Sequence, residues 1–385
     1  MDDRRQLKIC YVDESSAIGG AEAYLKMLSE HFAPHYDVNI IHLGDEMHRN
    51  YYDAPRVTHI PCLAANRSGL VTMSRYYSIL RQLAPDVLHV NQPAPDRCFH
   101  AIVAGRLASV RLVMSTCHLP GAVFRRSFLG MAAGKSLYDH AVNTVVFNCL
   151  DKIIVVSESG IEGLNKNYPI SSGKSVCVHN GVDCEKYRRC GPSASSTVRA
   201  SLNIPEDVLL LASVGRLHEQ KDYASLLKAF SCAHKRHPRL NLIIVGEGEL
   251  RQELEQLAVD LGLERVTHLV GQRSNIPEIL AACDIYINSS RYEGLPFSIL
   301  EAMASGLPVI ASAVDGNKEV IQHDHGILVH PGDQGKMVEA IMSLVEDESK
   351  RKSLGNSGRE FVARYFSLSG MMSKTEQVYL SAASN

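Results

Sequence analysis

At 385 residues the chain is too long for one comfortable core and suits two domains of ordinary size. Hydrophobic residues make up 45% and charged residues 21%; 42 acidic against 40 basic side chains leave a net charge of -2, which excludes the strong positive field of a nucleic-acid-binding protein. No run of about 18 apolar residues occurs, so no transmembrane segment is expected. The N-terminus leads straight toward a strand rather than through a secretory signal, so a cytoplasmic location is expected. Ten scattered cysteines without a Cys-x-x-Cys pair predict reduced, mostly buried thiols.

In chain order, Lys8 to Val12 is a short apolar run that enters a glycine pair, and Ala21 to Leu28 follows with helical spacing of its apolar residues. The pattern predicts strand, glycine turn, helix. Val38 to Leu43, Val87 to Val90, Leu112 to Thr116 and Lys152 to Val156 are further short apolar runs that read as doubly buried parallel strands. From Arg188 to Ser196 the chain becomes small and polar, with the character of a linker. The same grammar then restarts, with strands expected at Leu209 to Val214, Leu240 to Val245, Val266 to Val270, Ile285 to Asn288 and Pro308 to Ala311. Fold class is therefore α/β, two Rossmann-like domains facing a cleft, with ligands beyond the carboxyl ends of the strands. Residues 1–190 form the expected N-terminal domain and 191–366 the C-terminal one, and 367–385 is a weakly apolar helix free to cross back to the first.

Arg291 to Glu301 carries the most information. It follows a predicted strand and runs into a helix, with Glu293 on the loop and Glu301 about two helical turns beyond it. Carboxylates accept hydrogen bonds from sugar and ribose hydroxyls. Between them, the free amides of the helix start at Phe297 and Ser298 suit a phosphate. The bland alternative is a strand-loop-helix corner with solvated glutamates.

Gly215 to Asp222 is another strand end turning into a helix. Arg216 and Lys221 can converge there on one anion, with Asp222 as a helix N-cap, although isolated basic residues are commonly surface charges. With two cations a diphosphate leaving group needs no metal ion, and no Asp-x-Asp triplet occurs. No cofactor is expected. Gly19 and Gly20 lack side chains at the first strand end and let backbone approach a ligand, or simply make a turn. His118, just past the predicted strand Leu112 to Thr116, can bond a sugar hydroxyl or handle a proton, or can be structural.

Two other features give weaker signals. Phe124 to Lys135 is a basic, partly apolar stretch that suits weak peripheral membrane contact, an anionic acceptor or a solvated helix. His323, His325 and His330 lack the companions of a metal site.

Glu293 to Glu301 is a Glu-x7-Glu motif. With Gly215-Arg-Leu, Lys221, Gly246 to Glu249, Asn180 to Asp183 and Gly19 to Glu22, the chain resembles the GT-B retaining glycosyltransferases of family 4 over nearly its whole length. The resemblance implies that Glu293 contacts donor-sugar hydroxyls and Glu301 the ribose, and that Arg216 and Lys221 bind the diphosphate. It further implies that the Gly19–Gly20 turn closes on the diphosphate, that Phe297 and Ser298 offer amides to the donor, that His118 sits near the transferred sugar, and that Arg273 lies by the base. Gly294-Leu-Pro stands where Gly-Phe-Gly or Ser-Phe-Gly is common, and 120–143 has no assignable counterpart.

The implied reaction moves a hexose or N-acetylhexosamine from a nucleotide sugar to a small-molecule, lipid-linked or saccharide acceptor. UDP-GlcNAc or a UDP-hexose is the favoured donor and GDP-mannose the rival. A phosphorylase or epimerase would instead depend on phosphate or release a free epimer, and a catalytically silent module would bind donor without turnover.

Overall fold

The computed structural model describes residues 7–15, 18–42, 46–62, 69–93, 98–119, 142–168, 172–188, 192–322 and 324–381. The chain divides into two compact units, one of residues up to His179 joined by the segment from Met371, the other Asn180–Gly370.

The first unit holds a parallel sheet. Its strands are β1 (Lys8–Val12), β2 (Asp37–His42), β3 (Val57–Pro61), β4 (Val87–Gln92), β5 (Leu112–Cys117), β6 (Lys152–Val155) and β7 (Ser175–Cys177), in the order β3-β2-β1-β4-β5-β6-β7. Every side chain of β4 and β5 is buried, as expected where helices cover both faces of a parallel sheet. Between strands run the helices Gly20–Phe32, Gly69–Leu83, Phe99–Leu107 and Glu158–Asn167. Burying each Val, Leu or Ile of these strands contributes about 1.5–3 kcal/mol before chain entropy is subtracted.

In the second unit the strands are β8 (Leu209–Val214), β9 (Leu240–Val245), β10 (Thr267–Leu269), β11 (Ile285–Asn288), β12 (Val309–Ser312) and β13 (Gly326–Val329). They run parallel in the order β10-β9-β8-β11-β12-β13. Both sheets reverse their order beside the first strand of the unit, which makes the carboxyl ends of β1/β4 and β8/β11 the natural ligand crevices.

Two expectations change. Residues 180–188, assigned to the first domain by sequence, belong to the second unit: Val182 donates its amide to Phe366 O at 2.9 Å and accepts from Leu368 N at 3.0 Å. From Pro192 the expected linker is the helix Pro192–Ser201, because proline at the first helical position loses no needed donor. Only 189–191 of that stretch lies outside the described residues. The C-terminal helix Leu368–Ser381 buries Met371, Met372 and Tyr379, and its part from Met371 belongs to the first unit.

The basic stretch 124–135 and His323 lie outside the described residues. Five of the nine described cysteines are buried, all nine are free, and Cys232 is exposed. Among the described residues no helix is long and apolar enough to cross a membrane, and no group of three or more His, Cys, Asp or Glu gathers that would hold a metal ion.

Candidate active site

In the second unit the site residues gather at the carboxyl ends of β8 and β11. Past β8 the chain makes the loop Gly215 to His218, and past β9 it makes a second loop from Gly246. The two loops touch through backbone: a Cβ on Gly246 would overlap Gly215 O, and one on Gly248 would overlap Leu217 O. Leu217 N donates to Glu247 O at 2.9 Å, which locks the pair. Arg216 is thereby held on a fixed backbone with its side chain exposed and without a partner among the described residues.

Lys221 and Glu293 come together. Lys221 Nζ lies 2.5 Å from Glu293 Oε1, and both side chains are largely buried. Ser290 Oγ donates to the same oxygen at 2.6 Å, Asn288 Nδ2 donates to it at 3.4 Å, and Gln220 Nε2 reaches Oε2 at 3.3 Å. Asn288 is fixed in turn by Asn317, whose Nδ2 donates to Asn288 Oδ1 at 3.1 Å and to Ser312 O at 2.9 Å. The carboxylate is therefore a pinned acceptor rather than a solvated loop charge. One lysine charge is largely matched by it, which leaves Arg216 as an uncompensated cation among the described residues of this corner.

Asp222 stands at the N-cap position of the helix Tyr223–Arg236 but does not cap it: its φ is 49°, and its carboxylate accepts instead from Arg291 at 3.3 Å. The left-handed backbone turns the side chain away from the amides it was expected to satisfy.

Gly294, Leu295 and Pro296 connect Glu293 to the helix Phe297–Ala304. This loop is gripped on two sides. Asn180 Nδ2 donates to Leu295 O at 2.6 Å, and Gly316, in the short helix Asp315–Val320, packs so closely on Gly294 O that a Cβ would overlap it. No side chain caps the helix beginning at Phe297, so its first-turn amides at Phe297 and Ser298 have no side-chain partner among the described residues.

Glu301 lies one turn into this helix, not two, because the helix starts only at Phe297. Its Oε1 accepts from Tyr187 OH at 2.8 Å. Burial pushes its carboxyl above the usual range, with the Tyr187 bond and the Lys186 charge opposing the shift. Among the described residues it shares no hydrogen-bond partner with Glu293. Arg273 is exposed on the loop after β10, its Nε tied to Val270 O at 3.0 Å, away from both carboxylates' hydrogen-bond networks.

In the first unit, Gly19 is the N-cap of Gly20–Phe32 with extended backbone, and Gly19 N donates to Glu22 Oε2 at 2.7 Å. Burial, together with the nearby Asp13 charge, raises the Glu22 carboxyl. His118 is buried past β5. Its Nε2 lies 2.8 Å from Asn91 Oδ1, and its ring meets Tyr24 edge-on at 5.0 Å between centroids. Burial lowers its pKa to about 3, so the imidazole is neutral at physiological pH.

Sequence reasoning missed Ser290, Asn288, Asn317, Gln220, Asn180, Gly316, Tyr187 and Asn91 as site-building residues. Asn288, Ser290 and Asn91 are small polar residues at strand ends, a signal visible only once the strand order is known.

Two parallel Rossmann-like sheets, the second ending in a pinned Lys–Glu pair beside an uncapped helix start, make the architecture of a GT-B glycosyltransferase. Family models agree: glycosyltransferase family 4 matches residues 18–186 and glycosyl transferases group 1 matches 195–361. The chain is 30% identical over 352 residues to the alpha-maltose-1-phosphate synthase of Mycolicibacterium smegmatis, covering 83% of this chain and 89% of that protein. It is 25% identical over 358 residues to the UDP-Gal:alpha-D-GlcNAc-diphosphoundecaprenol alpha-1,3-galactosyltransferase of Escherichia coli, covering 91% and 90%. The fold matches Anabaena HepE solved with UDP-glucose at a TM-score of 0.81 and 21% identity, over 97% of this chain and all of that one. The chain belongs to the family 4, group 1 glycosyltransferases, and it is an enzyme that transfers sugar from a nucleotide sugar.

Proposed function

We propose that the enzyme transfers a hexose or N-acetylhexosamine from a UDP-sugar to an acceptor hydroxyl, with retention of configuration and without a metal ion. The observation that carries this reading is the largely buried Lys221–Glu293 pair, in the same unit as exposed Arg216 and the uncapped helix start at Phe297 and Ser298. Arg216, Lys221 and the amides hold the diphosphate, Glu293 takes donor-sugar hydroxyls, Glu301 takes the ribose, and Arg273 lies by the base. Within the first unit taken by itself, the Gly19–Gly20 turn leaves backbone open to a phosphate and His118 accepts from a substrate hydroxyl.

As the donor C1–O bond breaks, its electron pair leaves with the diphosphate, whose growing charge meets preset cations and amides. The acceptor oxygen then bonds C1 from the same face, and its proton passes to the departing phosphate oxygen. Glu293 is a poor nucleophile for the alternative double displacement, since Lys221 and Ser290 occupy one of its oxygens at 2.5 and 2.6 Å. UDP is favoured as the base carrier because HepE is described with UDP-glucose and the Escherichia coli relative is named for UDP-Gal. That relative's name also points to a polyprenyl-diphosphate-linked saccharide as acceptor class.

Arg216→Ala is the clean test, because truncating Lys221 would strand a buried carboxylate and confound activity with stability. The variant keeps its Tm and loses about 10²-fold or more in kcat. Thermal shifts with UDP, GDP and their sugars, with and without EDTA, read donor and metal dependence directly. Full activity of Arg216→Ala, or shifts abolished by EDTA, would overturn the assignment.

A further inference from the structure

His118 and the Gly19–Gly20 turn come from segments about a hundred residues apart, yet one buried side chain joins them. Asn91, at the carboxyl end of β4, donates from Nδ2 to Ala21 O at 3.0 Å, in the first turn after the glycines. That bond commits Nδ2 as the donor and leaves Oδ1 as the acceptor. Oδ1 lies 2.8 Å from His118 Nε2, so the imidazole must carry its proton on Nε2. His118 Nδ1 then holds a lone pair, and it has no partner among the described residues although the residue is 8% exposed.

Packing fixes the ring as firmly as the proton. Tyr24 meets the imidazole edge-on at 5.0 Å, and its hydroxyl lies 3.1 Å from Thr116 Oγ1. The register pairs Asn91 with Thr116 across β4 and β5, so His118 sits two residues beyond its own strand partner of Asn91.

We infer that Asn91 is a positioning residue that sets the tautomer of His118 and so makes Nδ1 a fixed acceptor for a substrate hydroxyl. The inference rests on the proposed role of His118 in glycosyl transfer, and it goes further by naming which nitrogen faces the ligand and what holds it. Burial keeps the ring uncharged, which agrees with an acceptor and rules against a proton donor at neutral pH.

Two measurements separate this claim from the activity assignment. Nitrogen-15 NMR of histidine-labelled protein, with His118→Ala identifying the resonances, reads the tautomer without any turnover. The expected wild-type spectrum has a protonated Nε2 and an unprotonated Nδ1, and Asn91→Leu shifts the ring toward a tautomer mixture. A protonated Nδ1 in the wild type, or an unchanged tautomer in Asn91→Leu, overturns the inference.

The second is a double-mutant cycle on UDP-glucose turnover. Asn91→Leu lowers kcat/KM about tenfold in the wild-type background and has no further effect beside His118→Ala. An equal loss in both backgrounds would mean that Asn91 acts on the fold and not through the histidine, and would also overturn it. If the wild type turns over no nucleotide sugar, the functional assignment fails while the tautomer result still decides the role of Asn91.

Discussion

In the ribose-binding role proposed for it, Glu301 trades stability for binding. An acid whose folded pKa lies above its unfolded value is favoured by the fold only while protonated, so the penalty is absent below the ordinary carboxylate range and grows as pH rises through the folded pKa. At neutral pH this half-buried acid is thus a standing cost, kept in check by Tyr187 and Lys186. Ribose hydroxyls would supply the donors that the fold withholds. Glu301→Gln therefore raises Tm at pH 7, with the gain vanishing toward pH 4, while the Kd for UDP weakens about tenfold through loss of charged hydrogen bonds. Calorimetry across pH together with titration of UDP reads both. Unchanged UDP affinity would remove Glu301 from the ribose site.

At the scale of elements, the short helix Asp315–Val320 has no predicted site residue, yet it sets the shape of the site loop. Gly316 abuts Gly294 O, and Asn317 reaches Asn288 beneath Glu293. Gly316→Ala must push the Gly294–Pro296 loop aside, because backbone cannot yield as a flexible side chain can. We expect a loss of about 1–3 kcal/mol in stability and weaker binding of UDP-sugars, measured by thermal melts and titration; wild-type values for both would show that the loop is free to move. This dependence was invisible in the sequence for a definite reason. Glu293, Lys221 and the helix start at Phe297 follow apolar strands and carry charge or punctuation, so they stand out along the chain. Asn288 and Asn317 meet only because β11 and β12 lie side by side, with Asn288 opposite Ala311. The same limit applied to whole strands. Those with continuous apolar runs, such as β1, β4, β8 and β9, were legible to within a residue or two. The edge strands β3 and β13 and the three-residue β7 were not, because β3 and β7 bury little and β13 only partly.

For the molecule as a whole, the chain leaves its first unit at His179, builds the second, and returns from Met371 onward to complete the first. The return is anchored by Tyr379, fully buried: its hydroxyl lies 2.7 Å from His89 Nδ1 and 3.2 Å from Tyr11 OH. His89 Nε2 lies 2.7 Å from Thr116 Oγ1, the same hydroxyl that Tyr24 reaches. Burial lowers the His89 pKa to about 3, so this is a neutral network in which every member needs its partner. Tyr36 adds a second tie, its hydroxyl 2.5 Å from Glu376 Oε1. Removing only the Tyr379 hydroxyl leaves His89 Nδ1 buried and unpaired, at a cost of about 1–3 kcal/mol. Because the tyrosine comes from the far end of the chain but serves the first sheet, the cost should appear there alone. Tyr379→Phe is expected to speed amide hydrogen exchange in β1, β4 and β5 while exchange in β8, β9 and β11 stays at the wild-type rate. Equal acceleration in both sheets would mean that the C-terminal helix stabilises the two units together and that the first unit is not completed by it separately.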